Sequence, residues 1–499
     1  RQTRSGRACP SSYRLLDRGF DLTDLHRQAR AAQPQDEKDL PSADIADPIS
    51  LTGRPRGPLA PSDKPSRSPP PRRNAKRARS PTGASPPRKK VGKKAVAALL
   101  RHLPPLPQAR DVSQYKPVVG GSSQAKKRRS RINRAKKAAR ARSDVWTGPD
   151  TSRNVYKKHL REAACEPTDL DWEDMPTTST AFTGKLEETE ARLYTLDELR
   201  GEEYGFDYLD WNGVTPTGIV APDGRVFAAC IGGLGNPDYV KATESLAGIL
   251  ETVNKHVKFP KDARDHRRGQ FGAQANGTSH GGGQTEPTNL KHTPTLDAVL
   301  AYLIALPAMI RIAHFASDAF ANWAPRLFAY YSDMMEKLFE SDSTLRRNFP
   351  RSVWACTTIN FGPRTVTFKH RDFGNLSFGW CAITALGKFN PDLGGHLVLW
   401  DCKLIIRFPP GSTVLIPSAI INHSNTIIAE GETRYSITQY TSGSLFRWVE
   451  HGLQLDEKFY AGLSEEEQVA AQQANSERWD KGVEMFSTWE ELQERGWAT

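Results

Sequence analysis

Two stretches in the C-terminal part of the chain decide the fold: VWACTTINFGPRTVTFKHRD at 353–372 and GGHLVLWDCKLIIRFPPGSTVLIPSAIINHSN at 394–425. Both consist of short runs rich in β-branched and aromatic residues, and Gly, Pro, Asp or Asn separates one run from the next. Together with LSFGWCAITAL (376–386) and RYSITQY (434–440), they supply eight predicted strands in fewer than a hundred residues. This spacing predicts a sandwich or jelly roll rather than a parallel α/β sheet.

The segment before these strands is predicted to supply one hairpin and a layer of helices. VTPTGIVAPDGRVFAACIGG (214–233) has two β-branched runs around Pro-Asp-Gly, which is a turn signature. Asn-Pro at 236–237 then predicts the start of a helix whose apolar residues share one face: Tyr239, Leu246, Ile249, Leu250 and Val253. Residues 296–340 predict further apolar helices, divided near Pro307 and Pro325.

These elements predict an α+β fold in which a jelly-roll core at 353–449 carries packed helices and follows a long disordered basic arm. Between the predicted helices lies RRGQFGAQANGTSHGGGQTEPTNL (267–290). No Lys-Ser or Lys-Thr follows its glycines, so the pattern is not that of a phosphate-binding P-loop. We expect a flexible loop here. The functional alternative is a substrate-facing lip, because long Gly-rich loops inside compact domains often serve binding sites.

The net charge of +12 averages two unlike parts of the chain. Residues 1–150 hold 35 Lys and Arg against 12 Asp and Glu, or +23, whereas residues 151–499 hold 34 against 45, or −11. The basic part also contains 19 prolines up to Pro149 and few clustered large apolar residues. Because so little apolar surface is available to offset the entropy of ordering, residues 1–145 are predicted to form a disordered arm.

Composition also divides the remainder of the chain. Residues 146–200 turn acidic and predict a linker followed by a helix. The main folded domain is expected over 201–455, and a helical tail over 456–499. That tail opens with Ser464 and Glu467 at the spacing of a capping box, which predicts a helix start.

Within the arm, KKRRSRINRAKKAARAR (126–142) holds ten bases and no acid. Its alanine content favours a helix on a polyanion, and DNA is the expected partner. The alternative is a solvated charge run that acts as a nuclear import signal. Either interpretation predicts a nuclear protein.

Several classes of protein are disfavoured by what the sequence lacks. No uninterrupted apolar stretch approaches the roughly 18 to 20 residues that a membrane span requires, and no membrane partner is expected. The first residues, RQTRSGRACPSSYRLL, are basic and polar rather than an apolar secretory signal. Six cysteines occur without a CxxC pair, which favours free thiols over a zinc or disulfide scaffold. No pattern assigns an oligomeric state.

Three residues are candidates for a metal site: His370, Asp372 and His423. Asp372 follows His370 by two positions at the end of a predicted strand, so both side chains can point to the same side. His423 lies on the seventh predicted strand, after PPGSTVLIP. Two histidines and one carboxylate are the facial triad of non-haem Fe(II) oxygenases, which leaves three coordination positions open. The structural alternatives are that His370 caps a strand and that His423 is a satisfied core histidine.

Arg434 is the candidate anion-binding residue. It follows His423 by eleven positions and opens the last predicted strand, with Ser436 on the same face. A guanidinium held inside a barrel needs an anion, and its planar fork suits a carboxylate. The natural candidate is the distal carboxylate of 2-oxoglutarate, to which Ser436 would donate a further hydrogen bond. Alternatively, Arg434 pairs with Glu430 or Glu432.

Two further residues are candidates for the cosubstrate pocket. Asn360 and Arg364 lie on the segment that enters the His-x-Asp motif, at even spacing from His370. If that segment is one continuous strand, all three side chains share a face. We therefore expect Asn360 and Arg364 to line the pocket.

The stretch from Tyr204 to Glu450, half of the chain, resembles the fungal branch of the TET/JBP-like Fe(II)- and 2-oxoglutarate-dependent dioxygenases. The resemblance is carried by TTINFGPRTVTFKHRD, by residues 394–425 quoted above and by GETRYSITQYTSGSLFRWV. It implies a double-stranded β-helix core at 353–449, a dioxygenase domain at 201–455, and Fe(II), 2-oxoglutarate and O2 as cofactor and cosubstrates. It also implies oxidation of the methyl group of a base in DNA, typically 5-methylcytosine or thymine. The residues that match the family's metal ligands and cosubstrate arginine are His370, Asp372, His423 and Arg434.

Two alternatives stay open at this point. The first keeps the oxygenase chemistry but changes the substrate to RNA, a protein side chain or a small molecule, all of which are compatible with an acidic catalytic part. The second is a catalytically silent nuclear protein that binds nucleic acid. The complete set of His370, Asp372, His423 and Arg434 disfavours it, because a silent relic has no reason to keep all four.

Overall fold

A computed structural model describes residues 100–106, 122–140, 148–149, 159–173, 175–188, 190–257, 259 and 263–494. Most of the arm predicted to be disordered, including residues 1–99, therefore lies outside the described residues. The same holds for the last five residues of the chain.

Thirteen strands occur in the described residues: β1 (Ala164–Pro167), β2 (Asp207–Leu209), β3 (Thr217–Val220), β4 (Val226–Gly232), β5 (Ala273–Ser279), β6 (Thr288–Asn289), β7 (Cys356–Asn360), β8 (Cys381–Lys388), β9 (Leu397–Leu399), β10 (Leu404–Ile406), β11 (Thr413–Ile416), β12 (His423–Asn425) and β13 (Thr433–Tyr440). Nine of them form a large mixed sheet in the order β1-β3-β4-β11-β8-β13-β7-β5-β6. The other four form a small sheet in the order β12-β9-β10-β2. The predicted hairpin is confirmed, because β3 and β4 pair antiparallel.

Ten helices are named in the described part of the chain: α1 (Ser123–Arg140), α2 (Leu196–Arg200), α3 (Pro237–His256), α4 (Pro294–Ile304), α5 (Pro307–Trp323), α6 (Pro325–Ser341), α7 (Gly443–Glu450), α8 (Asp456–Ala461), α9 (Glu465–Glu484) and α10 (Trp489–Glu494). The predicted breaks at Pro307 and Pro325 are confirmed, since each proline opens a new helix. No single described helix is long and apolar enough to cross a bilayer; α4 and α5 pass that test only as a pair, across a bend of 66°.

The start of α3 agrees with its predicted cap. The side-chain oxygen of Asn236 accepts hydrogen bonds from the backbone N–H of Asp238 (3.0 Å) and of Tyr239 (3.1 Å). The first bond satisfies a donor of the first helical turn, and the second adds to the bond that Tyr239 N makes with Asn236 O (2.9 Å). The predicted apolar face is confirmed as the buried one, and Leu246 and Leu250 are both 0% exposed.

Alternation along β13 separates the two sides of the large sheet. Tyr435 and Ile437 pack into a core cluster with helices α3 to α5. Arg434, Ser436 and Thr438 point the other way and line a cavity between the two sheets. Successive side chains of a strand face opposite sides, so one strand serves both the helical core and the cavity. The α+β class predicted from the sequence is confirmed.

One of the eight predicted strands is wrong. TVTFKH (365–370) forms no strand. Isolated bridges occur only at its two ends, from Arg364, which directly precedes the run, to Arg434 and from His370 to His423. The chain leaves its extended path at Gly362, whose φ of +56° lies in the left-handed region. A Cβ there would lie 2.6 Å from the carbonyl oxygen of Arg434, so only glycine fits this close approach.

The Gly-rich stretch 267–290 is more ordered than the predicted flexible loop. It contains β5, which pairs antiparallel with β7, and the short β6. Gly277 has a φ of +128°, and a Cβ there would lie 2.1 Å from the carbonyl oxygen of Ala355. The glycine therefore allows two backbones to approach each other.

The acidic stretch 146–200 also differs from the predicted linker. Its strand β1 pairs in parallel with β3, and Phe182 is fully buried. The C-terminal residues likewise pack into the main core, where Phe486 is 0% exposed. The predicted capping box is confirmed, because the Ser464 hydroxyl accepts from Glu467 N and the Glu467 carboxylate accepts from Ser464 N.

Parts of the predicted disordered arm are ordered as well. Leu103 is 6% exposed and packs in the core cluster of α3 and α4. The Tyr302 hydroxyl donates to the carbonyl oxygen of Pro104 (2.6 Å), and the rings of His102 and His256 stack with centroids 4.5 Å apart. Most of the basic run is helical, because it lies in α1.

Candidate metal centre

The three predicted ligands, His370, Asp372 and His423, come together at one end of the small sheet. A β-bridge joins the two histidines: His370 N donates to His423 O (3.1 Å), and His423 N donates to His370 O (2.9 Å). One potential ligand atom from each of the three residues lies within 4.8 Å of the others, and all three side chains are buried. The backbone itself therefore brings the ligand atoms together.

Both imidazoles are held in the orientation that a metal ligand needs. Nδ1 of His370 bonds the carbonyl oxygen of Phe368 (2.8 Å), and Nδ1 of His423 bonds that of Ile421 (3.0 Å). A carbonyl only accepts, so each Nδ1 carries the proton and each Nε2 keeps a free lone pair. Both Nε2 atoms lie 3.9 Å from a carboxylate oxygen of Asp372.

The electrostatics of the site favour the same protonation states. Burial lowers the pKa of His370 well below its ordinary value, and the neighbouring His423 lowers it further. Burial also lowers the pKa of His423. Burial by itself raises the pKa of Asp372, but nearby groups outweigh it and lower the pKa to about 2: His370, Arg268, His423 and Arg267. At neutral pH the site holds two neutral imidazoles and one carboxylate, which are the forms that bind a metal ion.

Arg434 is a buried cation with unused donors. It is 1% exposed, and its Nη1 donates to Thr365 O (2.7 Å) and to Asn425 Oδ1 (3.2 Å). Its Nε and Nη2 have no hydrogen-bond partner among the described residues. Burial lowers the pKa of Arg434 to about 9, so the group remains charged at neutral pH. A buried charge with unsatisfied donors is costly unless an anion completes it.

The expected alternative partners do not occupy Arg434. Within the described residues, no ion pair joins it to Glu430 or Glu432. The Glu432 carboxylate instead accepts from the backbone N–H of Asn390 (2.6 Å) and of Ala429 (2.8 Å). The free edge of Arg434 is thus available to a ligand.

Ser436 and Asn360 lie on the same cavity as the three candidate ligands and Arg434. Asn360 Nδ2 donates to Ser436 Oγ (2.8 Å), while the buried Asn360 Oδ1 has no partner in the described part of the chain. The Ser436 hydroxyl hydrogen is therefore free to donate to a bound anion.

Arg364 corrects the sequence-based expectation. Its guanidinium donates to the carbonyl oxygens of Ala429 (2.8 Å) and Ile428 (2.6 Å) and does not line the cavity. The prediction assumed an unbroken strand from Asn360 to His370, and the turn at Gly362 removes the common face. Arg364 instead stabilises the loop before β13 through these two hydrogen bonds.

Other residues at the site were missed. Asn425 orients Arg434, and its position two residues after His423 on β12 was a readable signal. Arg267 and Arg268 place guanidinium nitrogens 3.7 and 3.8 Å from Asp372 Oδ1. They come from about a hundred residues upstream, and no local pattern links them to the His-x-Asp motif.

The sequence and the structure were compared with those of known proteins. No protein-family model and no curated protein matches the sequence. Among solved structures, the chain is similar to one described as NgTET1 in complex with 5mC DNA. The TM-score is 0.34 at 14% identity, over 48% of this chain and 83% of that chain. A likeness of this size is too small to indicate activity or substrate.

Proposed function

We propose that this protein is an Fe(II)- and 2-oxoglutarate-dependent dioxygenase of the TET/JBP-like kind. The observation that carries the proposal is that a His-Asp-His set and a buried, incompletely paired arginine line one cavity. The first is the donor set of non-haem Fe(II) sites, and the second requires an anion. 2-Oxoglutarate meets both needs, because one end can chelate a metal and the other end is a carboxylate.

We further propose that the core is a double-stranded β-helix of the jelly-roll type. In chain order, β7 and β8 belong to the large sheet, β9 and β10 to the small one, β11 to the large, β12 to the small and β13 to the large. Apolar side chains of both sheets share one cluster, so the sheets pack face to face. Alternation between two facing sheets is typical of jelly rolls.

Each residue of the site has a defined task in this chemistry. Fe(II) bound by His370, Asp372 and His423 would supply oxygen activation coupled to the decarboxylation of 2-oxoglutarate. The carbonyl oxygens of Phe368 and Ile421 keep the Nδ1 protons in place, which leaves both Nε2 lone pairs free and would allow them to bind the ion. The protein thereby fixes the ligand atoms before the ion binds.

The cosubstrate would be held by Arg434 and Ser436, which line the same cavity as the candidate ligands. The free Nε and Nη2 of Arg434 form the fork for its distal carboxylate, and Ser436 adds a hydroxyl donor. The apolar side chains of Ile383 and Leu397 line the same space. A pair of opposite charges in such a buried cavity interacts more strongly than it does in solvent.

For the substrate, we propose the methyl group of 5-methylcytosine or thymine in DNA and a nuclear location. The sequence resemblance and the basic helix α1 support this assignment. Because a base methyl inside a duplex is poorly placed for an enclosed metal, the target nucleotide would have to be flipped out. RNA, a protein side chain or a small molecule is the alternative substrate, and silent nucleic-acid binding is the alternative function.

Two measurements test chemistry and substrate separately. The full-length protein is incubated with Fe(II), ascorbate and 2-oxoglutarate, and succinate is quantified. Methylated and unmethylated DNA, single- and double-stranded, are then digested and their nucleosides analysed by mass spectrometry. We expect oxidised 5-methylcytosine or thymine only when 2-oxoglutarate is present. Succinate without an oxidised base would move the substrate to one of the alternatives, and no succinate with any substrate would refute the oxygenase.

A further inference from the structure

Part of the acidic stretch lies between the two chain segments that carry the candidate ligands. The backbone N–H of Gly184 donates to the carbonyl oxygen of Phe373 (2.7 Å), directly after Asp372. A Cβ on Gly184 would lie 2.1 Å from the carbonyl oxygen of Ala419, on the loop that leads to His423. The backbone at Gly184 therefore fits tightly against both ligand-bearing segments.

Glu187, three residues after Gly184, contacts both ligand-bearing segments through its side chain. Its carboxylate oxygen Oε2 accepts a hydrogen bond from the guanidinium of Arg371 and another from Asn422 Nδ2 (2.9 Å). Arg371 stands between His370 and Asp372 in the chain, and Asn422 directly precedes His423. One carboxylate thus joins the immediate neighbours of all three candidate ligands.

Regular structure joins the two ligand-bearing segments at only a few positions. Residues 365–370 form no strand, and they meet β12 through the His370–His423 bridge and through Thr367, whose O accepts from Asn425 N (3.2 Å) and whose Oγ1 donates to Asn425 Oδ1 (3.0 Å). The second segment is held by the pairing of β12 with β9 and by Asn422 N, which donates to Asp401 Oδ2 (2.5 Å). None of these bonds involves the Arg371 side chain, which Glu187 links to Asn422.

We propose that Glu187 is a positioning residue for the candidate metal centre. It does not touch the ion or the cosubstrate; it holds Arg371 and Asn422, and through them the spacing of the ligand atoms. The Arg371 side chain is 9% exposed, so the pair is shielded from solvent on the arginine side. This inference rests on the proposed function, because it presumes that the three ligands bind a metal.

The chain offers a matched control in the next residue. Glu188 is exposed and makes no hydrogen bond or ion pair to any residue that the structure describes. Glu187→Gln and Glu188→Gln remove the same charge from adjacent positions. Only the first removes the charge from a carboxylate that pairs with Arg371 and accepts from both segments.

Metal affinity is the first readout. Mn(II) is titrated into the full-length protein, and the free ion is followed by electron paramagnetic resonance. Residues that orient metal ligands typically change affinity about 10- to 100-fold, and we expect a loss of about tenfold in Glu187→Gln. Glu188→Gln should bind like the wild type, and Glu187→Asp, which keeps the charge on a shorter side chain, should fall between.

Backbone protection is the second readout and needs no metal. Hydrogen exchange is followed in the metal-free protein for peptides that cover 368–373 and 420–425. Exchange at the His370 and His423 amides should be about tenfold faster in Glu187→Gln than in Glu188→Gln, because local opening limits it. Exchange in the core strand β8 should be the same in both variants.

The outcomes separate this inference from the proposed function. Wild-type Mn(II) affinity and exchange in Glu187→Gln would overturn the positioning role and leave the dioxygenase intact. Mn(II) affinity that does not fall in His370→Ala would overturn the metal centre itself. Faster exchange throughout Glu187→Gln, β8 included, would mean that Glu187 supports the whole fold, and it would also overturn the local role.

Discussion

The guanidinium of Arg434 uses only Nη1 to bond the described part of the protein, donating to Asn425 Oδ1 at 3.2 Å and to the carbonyl oxygen of Thr365 at 2.7 Å. Asn425 is itself fixed, because its Oδ1 also accepts from Thr367 Oγ1 (3.0 Å) and its Nδ2 donates to His396 O (3.1 Å). The opposite edge of the guanidinium, Nε and Nη2, is left without a partner there. That edge is one of those that bind a carboxylate through two parallel hydrogen bonds.

Arg434→Lys should therefore weaken the binding of 2-oxoglutarate more than that of the metal. A point charge replaces a two-donor fork, and the loss of a charge-assisted hydrogen bond costs about 1.5 to 3 kcal/mol, or about ten- to hundredfold in affinity. The Michaelis constant for 2-oxoglutarate measures this effect, with Mn(II) affinity followed in parallel. Arg364→Lys is the matched control, because its guanidinium bonds loop carbonyls outside the cavity. Equal Michaelis constants in wild type and Arg434→Lys would place the cosubstrate elsewhere.

His370→Ala, Asp372→Ala and His423→Ala should each abolish formation of succinate from 2-oxoglutarate. Each variant removes one of three protein ligands, and two ligands do not make a facial site. Circular dichroism should show the fold retained, and His256→Ala, which changes a histidine outside the cavity, should keep full turnover. Undiminished succinate in any of the three variants would show that the metal lies elsewhere.

The buried His396 should make the protein less stable in mild acid. Burial, with the nearby Arg407, lowers its pKa from 6.5 to about 4, so the folded chain stays neutral at pH 5 while the unfolded chain takes up a proton. Stability is therefore unaffected by this histidine above pH 6.5, and the free energy of unfolding falls as the pH drops from 6.5 toward 4. Between pH 7 and 5 the loss is about 2 kcal/mol.

Urea unfolding at both pH values measures this loss. His396→Gln removes the titrating group, so its free energy of unfolding should fall by about 2 kcal/mol less than that of the wild type over the same interval. The comparison uses the change with pH, so any constant effect of the substitution cancels. An equal fall in both proteins would show that His396 titrates normally.

Removing one member of the buried ion pair Arg478–Glu450 should strongly destabilise the protein. The Arg478 guanidinium lies 3.0 Å from the Glu450 carboxylate, which also accepts from the Tyr330 hydroxyl (2.7 Å). Glu450→Ala leaves a buried, unpaired arginine and should lower the free energy of unfolding by about 3 to 5 kcal/mol. Arg478→Met combined with Glu450→Leu removes both charges and should lose much less. A double variant no more stable than Glu450→Ala would contradict this account of the pair.

Local patterns predicted the parts of the fold that local physics decides. The turn residues and β-branched runs predicted β3, β4 and seven of the eight strands after Val353, and the Asn236 cap predicted the start of α3. The candidate ligands His370, Asp372 and His423 stand out in the sequence because residue type and spacing are sufficient to suggest a metal site. Whether they meet depended on tertiary structure, and the fold brings them together.

The failures come from contacts between residues distant in the chain. A strand is predicted at 365–370 because the run is rich in β-branched and aromatic residues, but the chain turns at Gly362, where it lies close to Arg434 O. Gly277 belongs to a Gly-rich stretch that predicts a flexible loop, but in the fold it permits β5 to approach β7. Glu187 is one of many acidic residues in its stretch, and its partner Asn422 lies 235 positions away. No window of sequence contains both.

The basic helix α1 should determine how the protein holds DNA, without affecting its chemistry. Lys126, Lys127 and Arg128 are exposed on α1, and replacing all three with Gln should weaken duplex binding and lower the salt slope by about 0.9 for each phosphate that is no longer neutralised. Turnover on a saturating short methylated oligonucleotide should stay the same, because no candidate ligand lies in α1. Lys255→Gln, Lys337→Gln and Lys481→Gln combined, which neutralise three bases elsewhere on the surface, are the control for net charge. An unchanged isotherm and slope, together with loss of nuclear localisation in cells, would make the run an import signal instead, and DNA would then have to be held by the folded body.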